Sequence, residues 1–297
     1  MTQNDMSLQA AGAPPRVNEW RRFRRVFLGR GVVVFGMIVI FLYILIAAFA
    51  PLIAPYPPSE PDLSVTLQGP SAAHWLGTDA LGRDTFSRII FGTRTALIIG
   101  LIVVSIACSV GLILGTLAGY YGGWTHFIIM RFIDAMMSFP MILLALVVAA
   151  LLGAGMKNVI IALSVAMMPS YARLMCGQVL SVKENDYIGA SRSIGASNFR
   201  IMLKHIVPNC FSSILVLITM MLGSVVLAEA ALSFLGIGIM PPTPAWGSMI
   251  NDAKQYLLKL PILSFSPGIA LMLLVFAFNM VGDGLRDALD PRLRGSI

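Results

Sequence analysis

Charged residues are scarce in this chain: they make up 12% of its 297 residues, whereas hydrophobic residues make up 57%. Soluble domains carry about 25% charged residues. The composition therefore excludes an ordinary soluble protein and indicates an all-α, polytopic membrane protein. A net charge of +7 can indicate nucleic-acid binding, but the basic residues are concentrated beside apolar segments, where membrane topology accounts for them. We expect no nucleic-acid partner.

Nucleotide-binding and metal-binding motifs are also missing. The chain contains no Gly-Lys dipeptide, so it cannot form the usual phosphate-binding loop. The three histidines lack metal-ligand spacing, and the three cysteines lie in or beside apolar segments without a Cys-x-x-Cys pair, which indicates a packing role. These residues are His74, His126, His205, Cys108, Cys176 and Cys210. We expect no metal site, bound cofactor or catalytic residue in this chain.

Six apolar runs are each close to the ~20 residues that cross a membrane as a helix. We predict spans at roughly 31–53, 94–120, 131–152, 158–177, 209–233 and 266–285. The first run ends near Ala48-Phe49-Ala50, which resembles a signal-peptide cleavage site. Signal peptides have an apolar region of only about 7–15 residues, so we interpret 31–53 as a retained first span.

Basic residues are distributed unequally between the two sides of these spans. Fifteen of them fall on the side of the N-terminus and six on the other side. Such an excess marks the cytoplasmic side, so the tails 1–30 and 286–297 are both predicted to be cytoplasmic. The six outer cations are Arg83, Arg88, Arg94, Lys157, Lys254 and Lys259.

Two outer loops are predicted, at 54–93 and 234–265, before and within a transmembrane domain spanning 94–285. The first loop begins proline-rich and then contains a helical pattern that Thr78 can cap. Asp79 with Arg83, and Asp84 with Arg88, have the spacing of helical ion pairs. These four residues can form either a solvated helix face or part of an outer docking surface for a partner protein.

Glycines recur at four-residue spacing in the second span, at Gly111, Gly115 and Gly119, with Gly100 earlier. Small residues at this spacing allow close approach of helix backbones in lipid. The pattern predicts intimate packing, either within the chain or against a second membrane subunit.

Few ionisable residues lie within or beside the spans. Arg131, Asp134, Arg173 and Asp283 lie near predicted span ends, where snorkelling or capping accounts for them. Glu229, near the outer end of the fifth span, can line a translocation path or gate, or form a structural pair. The absence of a dense chain of buried acids and bases counts against an ion-driven secondary transporter.

The polar stretch 181–209, between two apolar runs, combines cations, small residues and helix-start residues. Asp186 can cap a helix that begins at Tyr187 and continues through small residues. A helix end and turn are predicted next, followed by a second helix that stops at Pro208. The small residues are Gly189, Ala190 and Ser191, and the turn residues are Gly195, Ala196 and Ser197. This helix–turn–helix can be a docking surface or a purely structural hairpin.

The spacing within this stretch resembles the Glu-Ala-Ala loop of ABC importer membrane subunits. Gly189-Ala190-Ser191 occupies the Glu-Ala-Ala positions, Gly195 the family glycine, and Val207-Pro208 the closing Leu-Pro. Gly189 replaces the family glutamate, and His205 stands where the family has isoleucine. The resemblance implies that the segment around 186–200 is a coupling helix seated on an ATPase subunit.

Separated motifs at 74–97, 134–140, 230–250 and 278–295 are similar to the C-type permease of dipeptide, oligopeptide and nickel importers. The resemblance implies a type I ABC importer fold in a prokaryotic inner membrane. It also implies a homologous second permease subunit, two ATPase subunits that bind ATP and Mg²⁺, and an outer solute-binding protein. Short peptides are the expected substrate, with nickel or a metal chelate as the alternative. A secondary transporter and a membrane-embedded enzyme are the rival classes.

Overall fold

The computed structural model describes residues 19–289, and over that range its regular secondary structure is helical, with no strand. Parts of the predicted tails, including Arg16, Arg292 and Arg294, lie outside the described residues. The described α-helices are α1 (Glu19–Leu28), α2 (Gly31–Ala48), α3 (Ala50–Ile53), α4 (Thr85–Tyr121), α5 (Gly123–Met137), α6 (Met141–Leu152), α7 (Met156–Val182), α8 (Asp186–Ser193), α9 (Asn198–Ile201), α10 (Val207–Phe234), α11 (Trp246–Ala253) and α12 (Ile262–Leu289).

Five helical segments in the described range are long and apolar enough to cross a membrane: α2, α4, α7, the run Asn198–Phe234 that ends in α10, and α12. The pair α5 and α6 is a sixth if it is counted as one span. The prediction of an all-α polytopic membrane protein is confirmed. The connections 183–197 lie at one end of the helical bundle, called here the 183–197 end. The connections 54–84 and 235–261 lie at the opposite end, called the 54–84 end.

The predicted continuous span 131–152 is wrong. Its helices α5 and α6 meet at an angle of 91°, and the break falls at Ser138, Phe139 and Pro140. The residue before a proline is disfavoured in helical conformation, so α5 ends before Pro140 and α6 starts after it. An average of hydrophobicity over a window does not detect such a change of direction.

The central contact of the bundle is between α4 and α7, and it depends on the predicted glycine series. A Cβ atom on Gly111 would lie 2.5 Å from Tyr171 Cβ, and one on Gly119 would lie 2.8 Å from Val179 Cβ. Gly115 faces Met175 Cβ at 2.7 Å. The prediction of close backbone packing is confirmed, and the partner helix belongs to the same chain.

Helix α4 starts nine residues earlier than the predicted span, because the short helix predicted in the 54–93 loop is its first turns. Its N-cap is Asp84, whose carboxylate accepts a hydrogen bond from the Ser87 N–H at 2.8 Å. The predicted cap at Thr78 is wrong. The Thr78 hydroxyl donates to the Val65 carbonyl and accepts from the Gln68 N–H at 3.0 Å, so it ties two parts of the loop together.

Helix α11, within the predicted outer loop 234–265, was not predicted from the sequence. Its first residue, Trp246, is buried and donates its indole N–H to the Ile89 carbonyl at 3.2 Å. Gly92 on α4 leaves the space for this ring, because a Cβ there would lie 2.7 Å from the indole nitrogen. The outer loop is therefore held against α4, α10 and α12.

Candidate functional site: an exposed helix at the 183–197 end

Helix α8 begins after Asn185, which occupies the N-cap position. The prediction that Asp186 caps this helix is wrong, since Asp186 is its first residue and Asn185 makes no cap hydrogen bond to it. The Asn185 side chain donates instead to the Val182 carbonyl at 2.8 Å. A carboxylate in the first turn still interacts favourably with the helix dipole, so Asp186 favours the helix without capping it.

The predicted turn after α8 is confirmed. Gly195 has φ of +80°, a left-handed conformation that favours glycine. The Gly195 N–H donates to the Arg192 carbonyl at 2.9 Å, and the Ala196 N–H donates to the Ser191 carbonyl at 3.1 Å, which together form a Schellman helix end. Ser197 then caps α9 by accepting from the Arg200 N–H at 3.4 Å.

The prediction that the second helix stops at Pro208 is wrong. The chain runs from α9 through a π-helical turn, Met202–Ile206, into α10, and Pro208 lies in the first turn of α10. Proline lacks an N–H and clashes with the carbonyl four residues earlier. A π-helical turn uses wider hydrogen-bond rings than an α-helix and contains one more residue per turn. Such a turn lies just before Pro208, so the helical path continues through the proline.

The exposed surface of this segment has no contact within the described chain. A Cβ added to Gly189 or to Gly195 would meet no atom within 4 Å. Ala190 is exposed beside Gly189, and the Ile194 side chain is 85% exposed. Small residues next to a protruding apolar side chain leave room for close approach by another molecule.

The opposite face of the segment is anchored firmly to the bundle. Ile188 is fully buried in the core. At the end of α4, the Tyr120 hydroxyl donates to the Asn198 side-chain oxygen at 2.8 Å, and Lys183 Nζ donates to the Gly119 carbonyl at 3.1 Å. The Arg192 guanidinium lies 5.3 Å from the centre of the Tyr120 ring. The segment is therefore attached to the end of α4 at Lys183, Arg192 and Asn198.

A second group of predicted residues lies at the 54–84 end and is mostly buried. The exposed fractions of Arg83, Asp84 and Arg88 are 5%, 3% and 2%, so the interpretation as a solvated helix face is wrong. Buried charges need partners: Asp79 accepts from Arg83 Nε at 2.7 Å and lies 3.6 Å from Arg88 Nε. The expected Asp84–Arg88 pair does not form, because Asp84 caps α4 and contacts His74 Nδ1 at 3.0 Å.

The ionic cluster at this end borders a cavity of about 320 Å³ that also contacts α11. Arg83, Arg88 and Asp79 line it on one side and Asp252 on the other. Partial burial raises the pKa of Asp252, against the opposing attraction of Arg83 and Arg88. In the neighbouring loop, hydrogen bonds from Ser64 lower the pKa of Asp62. The cluster shapes the surface at the 54–84 end, and a docking role for it stays a prediction.

Glu229 is buried on α10, with 2% of its surface exposed. Its carboxylate accepts a hydrogen bond from the Ser233 hydroxyl at 2.7 Å, and that hydroxyl accepts from the Ile239 N–H at 3.0 Å. These bonds hold the chain as it leaves α10, which favours the structural interpretation of Glu229 over the path or gate interpretation.

Within residues 19–289, no group of three His, Cys, Asp or Glu side chains is arranged to hold a metal ion. Cys108, Cys176 and Cys210 are buried thiols without a disulfide. The Cys176 sulfur lies 3.7 Å from His126 Nδ1.

Comparison with known proteins agrees with this architecture. Residues 111–295 match the family model described as the binding-protein-dependent transport system inner membrane component, and residues 18–70 match the N-terminal TM domain of oligopeptide transport permease C. The chain belongs to this family of importer permeases. It is therefore a multi-pass membrane protein, and its relatives are permease subunits rather than enzymes.

Two curated relatives cover nearly the whole chain. The glutathione transport system permease protein GsiD of Pectobacterium atrosepticum is 45% identical over 93% of this chain and 92% of its own length. The dipeptide transport system permease protein DppC of Alkalihalophilus pseudofirmus is 42% identical over 94% and 91%, respectively. A chain of the inward-facing MetNI methionine ABC transporter shares the fold, with a TM-score of 0.55 and 20% identity over 68% of this chain and 97% of that chain.

Proposed function

We propose that this permease forms one half of the translocation path of an ABC importer for short peptides, and that α8 couples it to an ATPase subunit. The observation that carries the proposal is the two-sided construction of the 183–197 segment. One face is open and lined by small residues, and the other is fixed to α4 by Tyr120 and Lys183. A structural hairpin does not require an open glycine face.

The proposal includes a topology. The 183–197 end lies in the cytoplasm with both termini, because the excess of Lys and Arg at that end follows the positive-inside rule. The 54–84 end then faces outward in a prokaryotic inner membrane, where a solute-binding protein docks on the surface shaped by the Asp79, Arg83, Asp84 and Arg88 cluster.

The remaining partners follow from the same architecture. A homologous second permease subunit completes the path as a heterodimer, and two ATPase subunits bind ATP and Mg²⁺ beneath it. Closure of the ATPase dimer moves α8, and its anchors carry α4 and α7 along as rigid bodies, which exchanges inward-facing and outward-facing states. This chain supplies the path and the contact, while hydrolysis takes place on its partners.

Because Gly189 occupies the glutamate position, the contact with the ATPase rests on close packing. The open space around Gly189 and Gly195 allows the partner to approach closely, and the exposed Ile194 side chain can insert into a groove on the partner. The relatives named for dipeptide and glutathione transport support short peptides as the substrate, in preference to nickel or a metal chelate.

Reconstitution of the complete importer in proteoliposomes tests the function. We expect ATP-dependent accumulation of a labelled dipeptide that needs the binding protein and stops when the phosphate-binding lysine of the ATPase is replaced. Accumulation by this chain alone, driven by an ion gradient, would show a secondary transporter. Peptide hydrolysis by the purified chain would show an enzyme. Uptake of nickel without any peptide uptake would replace the substrate assignment.

A further inference from the structure

A cavity of about 480 Å³ with a mixed polar and apolar lining lies between α7, α10 and α12, in the half of the subunit nearer the 183–197 end. Its polar wall consists of Gln178, Asn209, Ser212, Ser213 and Arg286. Leucine, valine and methionine side chains form the rest. The lining follows α10 over twelve residues, from Asn209 to Met220, which corresponds to about 18 Å along the helix.

Most of these polar groups have no partner in the described part of the chain. The side chains of Gln178, Ser212, Ser213 and Arg286 make no hydrogen bond there, while Asn209 donates to the His205 carbonyl at 2.6 Å. Unpaired polar groups are costly where they face hydrocarbon, so water or a polar molecule suits this surface better than a lipid chain does.

The exposed face of α4 behaves differently. It carries large apolar residues, and its two exposed serines satisfy their hydroxyls within the helix. Ser105 donates to the Leu101 carbonyl and Ser109 to the Ser105 carbonyl, both at 2.7 Å. This is a surface that lipid can cover.

An exposed ion pair lies on the same half of α7 as the cavity wall, near the end of the predicted span. Arg173 pairs with Asp134 of α5, and the two side chains are 48% and 47% exposed. Charges inside a membrane almost always face the bundle interior or a water-filled space. Gly177, one turn further along α7, is exposed with no atom near its Cβ position. Arg173 and Gln178, with the exposed Gly177 between them, therefore form a short polar strip on α7, flanked by the exposed apolar side chains of Ile161 and Leu180.

We propose that this strip and the adjoining cavity line the water-filled path for the transported peptide. The amide and hydroxyl groups of Gln178, Ser212 and Ser213 hydrogen-bond the peptide groups, and Arg286 binds the terminal carboxylate. This assignment rests on the proposed function, and it adds the residues that contact the transported peptide. The volume lies within the ~300–1,000 Å³ of small-molecule sites.

Thiol labelling in the complete importer, held in lipid nanodiscs so that both membrane faces are accessible, tests the path. In a background with the three native cysteines replaced by alanine, Gly177→Cys and Ser212→Cys are compared with two controls. Ser109→Cys matches the serine chemistry on the α4 face. Ile113→Cys matches the depth, because it lies between Gly111 and Gly115, which pack against α7 near Arg173.

We expect a charged, water-soluble thiosulfonate to label Gly177→Cys and Ser212→Cys at least tenfold faster than both controls. Equal and slow rates at all four positions would overturn the path assignment and place the strip in a dry interface. The labelling does not require uptake. If the reconstituted importer failed to transport peptides, the proposed function would be wrong, but the labelling rates would still show whether the strip is in contact with water.

Protection by a ligand tests the role of Arg286. Millimolar dialanine should slow the labelling of Ser212→Cys severalfold, and its C-terminally amidated form should slow it less. In the additional variant Arg286→Gln, the two forms should become equivalent, whereas Arg286→Lys should retain the difference. Equal protection by both peptides with Arg286 present, or no protection by either, would overturn the carboxylate assignment.

Discussion

The segments 54–84 and 183–197 are both polar, glycine-containing connections. Only in the first do the glycines pack against other residues of the same chain. A Cβ on Gly82 would overlap the Asp62 backbone, and one on Gly77 would overlap the Gln68 carbonyl. In the second segment, Gly189 and Gly195 face open space. The glycines of the first segment are explained by contacts within the molecule. In the second segment, Gly195 is required by its left-handed turn, whereas nothing within the described chain requires a glycine at position 189.

The same single change at the two segments gives the largest expected contrast. Gly82 has φ of +72°, so Gly82→Ala adds a left-handed cost of about 1–2 kcal/mol to an overlap with backbone that cannot retreat. We expect a loss of at least ~2 kcal/mol, measured as a lower midpoint of thermal unfolding. The matched Gly189→Ala should unfold like the parent. Similar unfolding midpoints for the parent, Gly82→Ala and Gly189→Ala would show that the two segments do not differ in their internal packing.

Bulk at Gly189 should affect coupling and spare folding. Gly189→Trp has space within the chain, so we expect a normal yield and unfolding midpoint, but a loss of at least about tenfold in ATP-dependent uptake, equivalent to ~1.4 kcal/mol. Stimulation of ATP hydrolysis by the loaded binding protein should disappear as well. Full uptake by Gly189→Trp would exclude a close contact of α8 with the ATPase.

Gly195 combines an open surface with a left-handed backbone, and two substitutions separate these properties. Asn tolerates the left-handed conformation, whereas Val does not. Gly195→Val should therefore cost about 1 kcal/mol in the local helix end and lower uptake more than Gly195→Asn. Uptake is measured for the two variants at equal protein levels. An equal loss of uptake would show that the size of the added side chain, and not the left-handed backbone, causes the effect.

Removal of a cap at the 54–84 end should have a smaller, purely structural effect. Asp84→Ala leaves the Ser87 N–H without its acceptor, at an expected cost of about 1 kcal/mol. Asp84→Asn keeps an acceptor oxygen and should lose less. Thermal unfolding of both variants measures the difference. An equal loss for the two variants would show that the charged contact with His74, rather than the cap, is the important one.

The smallest expected effect is a dependence on pH. Ser64 hydrogen bonds lower the pKa of Asp62, so they stabilise the ionised form and contribute stability above its ordinary pKa. Ser64→Ala should unfold at a slightly lower temperature than the parent near neutral pH. The difference should vanish as the pH falls through the lowered pKa of Asp62. A difference that persists in acid would indicate a contact unrelated to charge.

Sequence reasoning located the spans because long apolar runs are a direct signature of membrane helices. It also identified the turn at Gly195 and the packing of Gly111, Gly115 and Gly119, since backbone conformation and close approach both require glycine. These features are decided by residues close together in the chain.

The errors share a different origin, which is competition between distant groups. Thr78 and Asp84 are both acceptable caps, and the Val65 carbonyl, distant in sequence, decides between them. Arg88 pairs with Asp79 and not with Asp84, because the loop folds back and brings Asp79 close to Arg88. The π-turn before Pro208 and the burial of Arg83 likewise depend on three-dimensional context.

Helix α4 joins these two contrasting segments physically. Its first turn is fixed by Asp84 and Arg88, and its last by Tyr120, which holds Asn198. Its 37 residues correspond to a rod of about 55 Å. A tilt of about 5° about one end of such a rod displaces the other end by about 5 Å, close to one helical turn. Under the proposed topology, docking at the outer surface and contact with the ATPase would therefore both depend on this one tilt angle.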